Sequence, residues 1–353
     1  MKYTHILSLL LISLLTGCNL FTAKDNNTNH YTNFPTEKKL TAEIIPLDTA
    51  LFRYPFRISI KDSVVLVMDL HNIDHFFHAF SYPDWKYITS FGQRGQGPEE
   101  MLSAETFHFF SLDSIWTLDA NKMEITRWNL SPSLGMAERL QVIPIDKKLV
   151  RALDFYPIDS SFLIPDYLGD YRFHKIDQTG HYLSSHGTIP SQITYKDIAR
   201  PALAQAWRSF IDYNPQNGKL ALVTQLGEVL EIYDVEQDTS KVIYGPFEEP
   251  EFKISQDKGI PSGIMGFSDI QITDNYIYTV FHGRSFKDIL STQQKGEQPE
   301  DGGRFIYLFD LEGNPICKYI LDRAIYGIDV NEQTGIITAT DVNNNESIVQ
   351  FCM

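Results

Sequence analysis

Leu220-Ala221-Leu222-Val223-Thr224-Gln225-Leu226-Gly227-Glu228-Val229-Leu230-Glu231-Ile232-Tyr233 reads as two apolar runs joined by a polar, glycine-containing turn. Short runs of this kind, rich in aliphatic and aromatic residues and bounded by turn signals, form adjacent strands of a hairpin. The pairing recurs five more times. Val64-Val65-Leu66-Val67-Met68 is followed by Phe76-Phe77-His78-Ala79-Phe80, Ile115-Trp116-Thr117-Leu118 by Ile125-Thr126-Arg127-Trp128, and Phe162-Leu163-Ile164 by Tyr171-Arg172-Phe173. Tyr276-Ile277-Tyr278-Thr279-Val280 precedes Phe305-Ile306-Tyr307-Leu308-Phe309, and Ile336-Ile337-Thr338-Ala339 precedes Ile348-Val349-Gln350-Phe351. Units of roughly 40 to 60 residues are the spacing of a β-propeller, whose four-stranded blades must stack to bury their faces. The expected fold is all-β: a six-bladed propeller of four-stranded antiparallel blades over residues 41–353.

The sixth unit is short of a strand. Tyr326-Gly327-Ile328-Asp329-Val330 opens it, two further runs follow, and the sequence stops at Met353. Ahead of the first unit, Ala42-Glu43-Ile44-Ile45-Pro46-Leu47 alternates like a strand and has no partner of its own. It is expected to supply the outer strand of the last blade, where Pro46 is tolerated because an edge strand leaves one side of its backbone unpaired.

Residues 1–17 read as a lipoprotein signal. Met1-Lys2 leads into an apolar stretch over 6–15, too short for a resident membrane helix, and then into Leu15-Thr16-Gly17-Cys18. Small residues before a cysteine mark the thiol that receives lipid, so Cys18 is the expected anchor to the membrane. Residues 18–40, rich in Asn and Thr and without an apolar period, are expected to be a flexible tether. Asn19 after the cysteine suggests the outer membrane, with the domain facing either the periplasm or the exterior.

The chain carries a formal net charge of −15. A phosphate backbone is repelled by such a surface, which argues against nucleic acid as a partner. With Cys18 committed to lipid, Cys317 and Cys352 remain; the spacing of packed sheets disfavours a bridge between them, and two buried free thiols are expected.

Ser90-Phe91-Gly92-Gln93-Arg94-Gly95-Gln96-Gly97-Pro98-Glu99-Glu100, together with Tyr307-Leu308-Phe309-Asp310-Leu311-Glu312-Gly313-Asn314-Pro315-Ile316, resembles the TolB-like six-bladed propeller lipoproteins, themselves similar to NHL-repeat propellers. The resemblance runs from about Glu43 to the end. It implies a fold and a cell-envelope address and carries over no catalytic residue; Glu99-Glu100 departs from the Gly-Glu more usual in the family.

Several motifs have plain structural readings. Gly92, Gly95 and Gly97 lack the following helix that a phosphate-cradling loop requires, and read as a turn between blades. His71, His75 and His78 with Asp69 and Asp74 have zinc-type donors but straddle a hairpin, so no metal is expected there. Asp48-Thr49-Ala50, Asp62-Ser63-Val64 and Asp113-Ser114-Ile115 match a short pattern to which some Gram-negative bacteria attach O-linked sugars on exported proteins. The latter two also fall where a hairpin turns.

Two insertions, 191–210 and 282–304, are expected on the face where outer-to-inner connections gather. Long loops there are more often functional than decorative. Arg94, Tyr167, Arg208, His282, Arg284 and Arg304 map to the same side and are the candidate ligand-binding residues. In an acidic protein these arginines either meet an anionic group or pair with local carboxylates. No catalytic motif appears. The leading expectation is a non-enzymatic, lipid-anchored envelope module recognising a peptide, glycan or partner protein, with no cofactor. The alternatives are a propeller hydrolase or lactonase with a channel metal near Asp154, Asp269 and Asp329, and a structural envelope component.

Overall fold

Every hairpin quoted above gains a strand on either side, giving six blades arranged as a ring in the computed structural model, which describes residues 28–47, 52–192, 199–255 and 258–353. The innermost strands are Pro55–Lys61, Phe107–Ser111, Tyr156–Ile158, Ser209–Asn214, Phe267–Ile272 and Ile328–Asn331. Second strands such as Val64–Asp69 are buried along their whole length. The sheets stand radially, each covered on both faces by its neighbours, so alternation gives way to continuous apolar runs. Interblade packing is aromatic: Phe91 meets Trp128 with ring centroids 5.1 Å apart, and Trp116 meets Phe162 at 5.2 Å.

The ring closes as expected. Glu43–Ile44 pairs antiparallel with Ile348–Cys352, matching Ile44 to Val349 and Glu43 to Gln350, and the Ile45 N–H reaches the Ile348 carbonyl at 3.0 Å. The expected flexible tether over 18–40 is corrected for residues 28–40; residues 18–27, with the proposed lipid site Cys18, lie outside the described residues, as does Asp48-Thr49-Ala50. Thr28–His30 adds a fifth, parallel strand to the outer strand Thr239–Tyr244 of blade 4, and Thr36–Leu40 does the same to Pro315–Ile325 of blade 5. Between them Tyr31 is buried, its hydroxyl donating to the Glu228 carboxylate at 2.7 Å. Phe34 packs on Tyr307 and Phe309, with ring centroids 4.5 and 5.4 Å away. An edge strand needs backbone pairing and a few anchors rather than an apolar face, so the polar run Thr36-Glu37-Lys38-Lys39 gave no signal.

The described residues of both insertions lie on the face expected. In the first, helix Arg200–Ala206 buries Ala202 and Ala206 and leads into the fully buried Trp207. In the second, helix Phe286–Gln294 is capped by Ser285, whose hydroxyl oxygen accepts the Asp288 N–H at 3.0 Å. We call this the loop face, and the opposite side, where inner strands turn into second strands, the turn face. Cys317 and Cys352 are both free; Cys317 is buried, but Cys352, the last residue of its strand, is exposed.

Candidate functional site

The six inner strands surround a central channel that opens on the turn face as a cavity of about 1030 Å3. Its walls are strand edges and the turns that follow them, with Phe110 and Tyr276 partly exposed on the wall. At the far end Arg57 blocks the passage. Its guanidinium lies 4.2 Å from the Phe56 ring centre and 4.5 Å from that of Phe210, and Nε is 3.3 Å from an Asp269 oxygen. Tyr326 packs on Phe56 at 4.6 Å and backs the plug. The channel is therefore a blind funnel.

A belt of carboxyl groups stitches neighbouring blades around it. Asp212 accepts the Ile272 N–H, Asp269 the Ile328 N–H and Asp329 the Ile60 N–H, each at 2.8 Å. Gln271 repeats the device, its side-chain oxygen accepting the Val330 N–H at 2.7 Å. An inner strand has no ladder partner on its channel side, and an unpaired amide there is costly to leave. These side chains supply the missing acceptors. Burial pushes Asp154 and Asp212 up to about 7 and Asp329 to about 6, against the pull of the N–H groups they accept; it raises Asp269 as well, opposed chiefly by Arg57. Of the positions that favoured a channel metal, Asp269 and Asp329 are thus bound to backbone amides of the next blade. Asp154 accepts its neighbour Phe155 N–H at 2.9 Å. Among the described residues, no group of three His, Cys, Asp or Glu side chains is placed to hold a metal ion. Sequence reading missed Asp212, although a lone Asp beside aliphatic or aromatic residues in one inner strand after another is a visible signal.

The funnel wall is acidic. Asp62, Asp212, Asp269, Asp274, Asp329 and Glu332 line it, against Arg57 and Lys61. Among the described residues only Asp269 of these acids has an ion-pair partner.

Five of the six candidate residues on the loop face are engaged by neighbouring groups. Arg208 lies 3.7 Å from Glu105. Near it the Tyr167 hydroxyl is buried without a hydrogen-bond partner among the described residues; burial pushes it up to about 12, opposed by the Arg208 charge. His282 and Arg284 are neighbours at 3.3 Å, and burial, helped by that guanidinium, holds His282 down at about 4. Arg94 donates to the Leu70 carbonyl at 2.7 Å over the Phe76 ring, and Arg304 makes two hydrogen bonds to Glu300, at 2.7 and 2.6 Å. Two pairs are therefore brought together, while Arg94 and Arg304 are each held by their own partners. The glycine loop is a turn: the Glu100 carboxylate folds into it and accepts the Gly97 N–H at 2.7 Å, where a Cβ on Gly95 would collide.

Fold and site together define a six-bladed propeller with a plugged, acidic central funnel. The chain belongs to the TolB-like six-bladed propeller family, whose model matches residues 33–333. No curated protein matches it. Among solved structures it is similar to an exported protein of Bacteroides fragilis NCTC 9343, with a TM-score of 0.56 and 13% identity over 92% of this chain and 97% of the other. A member of the DUF4221 family from Bacteroides vulgatus ATCC 8482 gives 0.55 and 11% over 89% and 97%. A streptogramin B lyase gives 0.51 and 12% over 88% and 97%. At these identities the likeness is one of fold.

Proposed function

We propose that this protein is a non-enzymatic binding module of the cell envelope, held to the outer membrane through lipid on Cys18, that takes a segment of a peptide, glycan or partner protein into the turn-face funnel. The observation that carries this reading is the funnel itself: a blind cavity of about 1030 Å3, comparable to the larger small-ligand sites, whose deepest carboxyls are tied to backbone amides and so shape the wall. The exported TolB-like family and the Leu15-Thr16-Gly17-Cys18 site support the envelope address. Because the loop-face arginines already have partners and the funnel is acidic, a neutral or basic ligand fits better than the anionic one expected for the opposite mouth.

The test is a screen of acidic, neutral and basic peptides and glycans against the wild type, repeated with two double variants. Phe110→Ala with Tyr276→Ala should weaken each hit about tenfold or more, since exposed aromatic anchors carry much of the affinity at such sites. Arg208→Ala with Arg284→Ala should leave it unchanged. The reverse result would move the site to the loop face. Cys18→Ala should release the protein from membranes; retention after a high-salt wash would overturn the lipid anchor.

A further inference from the structure

Two hydroxyl triplets of the same pattern are treated differently by the fold. In Asp113-Ser114-Ile115, Ser114 begins a strand opposite Ser111, and its hydroxyl accepts the Trp116 indole N–H at 3.0 Å. Asp113 accepts the Ser111 hydroxyl at 2.6 Å and lies 3.8 Å from Arg127 Nη2. In Asp62-Ser63-Val64, by contrast, Asp62 and Ser63 form the tip of a two-residue turn, with Asp62 at φ 53°. Both are exposed, and among the described residues neither side chain makes a hydrogen bond or ion pair. The tip is nevertheless well held: the Ser63 carbonyl accepts the Tyr82 N–H at 2.7 Å, and Val64 is buried immediately after it.

We propose that Ser63 is a site of O-glycosylation on the rim of the funnel, with the free Asp62 carboxylate as part of what the transferase reads. The donor is a sugar linked to a lipid diphosphate. Ser63 Oγ bonds to the anomeric carbon as the bond from that carbon to phosphate breaks; the lipid diphosphate leaves with the electron pair, and the hydroxyl proton passes to a base of the transferase. Ser114, whose hydroxyl is half-buried and already bonded, stays unmodified. Asp62 lines the cavity, so the sugar would stand at its mouth and narrow the set of ligands that enter. The inference rests on the reading that the chain is exported.

The experiment is mass spectrometry of the full protein purified from its native host, with tryptic peptides 62–86 and 95–122 sequenced by electron-transfer fragmentation and the N-terminal peptide read alongside. Expected are a sugar on Ser63, none on Ser114, and loss of the sugar in both Ser63→Ala and Asp62→Asn. A wholly unmodified 62–86 peptide in protein whose N-terminus is processed at Cys18 would overturn the inference while leaving export standing. An unprocessed N-terminus with unmodified peptides would overturn both. A sugar retained on Ser63 in Asp62→Asn would refute the role of the carboxylate.

Discussion

Replacing Tyr31 by Ala should destabilise the whole propeller, although this residue lies in a stretch that reads as linker. Its ring is buried between blades 4 and 5, with centroids 5.3 Å from Phe34 and 5.5 Å from Phe309, and its hydroxyl satisfies Glu228, itself buried. Truncating a buried aromatic to Ala costs about 3–5 kcal/mol through lost transfer energy and the cavity left behind. Unfolding entropy near about 2.1 cal/mol/K per residue converts this, for a domain of this length, to a fall in Tm of roughly 5–8 °C. Tyr31→Phe isolates the hydrogen bond to the carboxyl group, with an expected cost of about 1.5–3 kcal/mol. Lys38→Ala, on the exposed side of the second added strand, is the control and should stay within about 0.5 kcal/mol of wild type. Scanning calorimetry of the purified chain measures all three. If Tyr31→Ala melts within a degree of wild type, residues 28–40 contribute nothing to the fold and the argument fails.

Three further outcomes follow from the channel and the glycine loop. Asp154 sits at about 7 in the folded protein, above its ordinary carboxyl value of 3.8, so the stability it contributes is complete below the latter and is lost as pH rises through the former. Relative to wild type, Asp154→Asn should gain Tm between pH 5 and 8, and a pH-independent difference would refute the assignment; His108, held near 4 by burial, acts in the opposite sense in both proteins and cancels in the comparison. Asp269→Ala removes the acceptor for Ile328 and leaves the mostly buried Arg57 unpaired, for an expected loss of about 3–5 kcal/mol in urea unfolding; a loss under 1 kcal/mol would mean that the plug stands without it. Gly95→Ala should destabilise the native protein but have a much smaller effect in a Glu100→Ala background, because the collision is with that carboxylate; equal costs in the two backgrounds would place the strain in the backbone instead.

The parts of the fold that could be read from sequence are those where burial dictates residue type. Second and third strands such as Val64–Asp69 are apolar on both faces because neighbouring blades cover both, and that run-and-turn rhythm survives in the primary sequence. Glu43–Ile44 was legible because the sixth unit lacked a strand. Thr36–Leu40 was not, since four of its five residues face solvent and its pairing partner, beginning at Pro315, is remote in the chain. At the site, Asp269 and Asp329 could be recognised as unusual in their strands and Asp154 as a carboxyl just ahead of one, but which amide Asp269 and Asp329 each receive depends on how the blades pack. The arginines show the same divide: Arg304 with Glu300 is a local pair, whereas the partner of Arg208, Glu105, comes from another blade.

The added strand Thr28–His30 also fixes a direction. It runs parallel to Thr239–Tyr244, and every outer strand travels from the turn face toward the loop face, so Thr28 is the end of the added strand nearer the turn face. With lipid on Cys18 as proposed, the ten peptide units in between can reach at most about 35 Å. Lipid there would therefore hold the molecule by its turn-face edge, with Thr28 never further than that span from the bilayer.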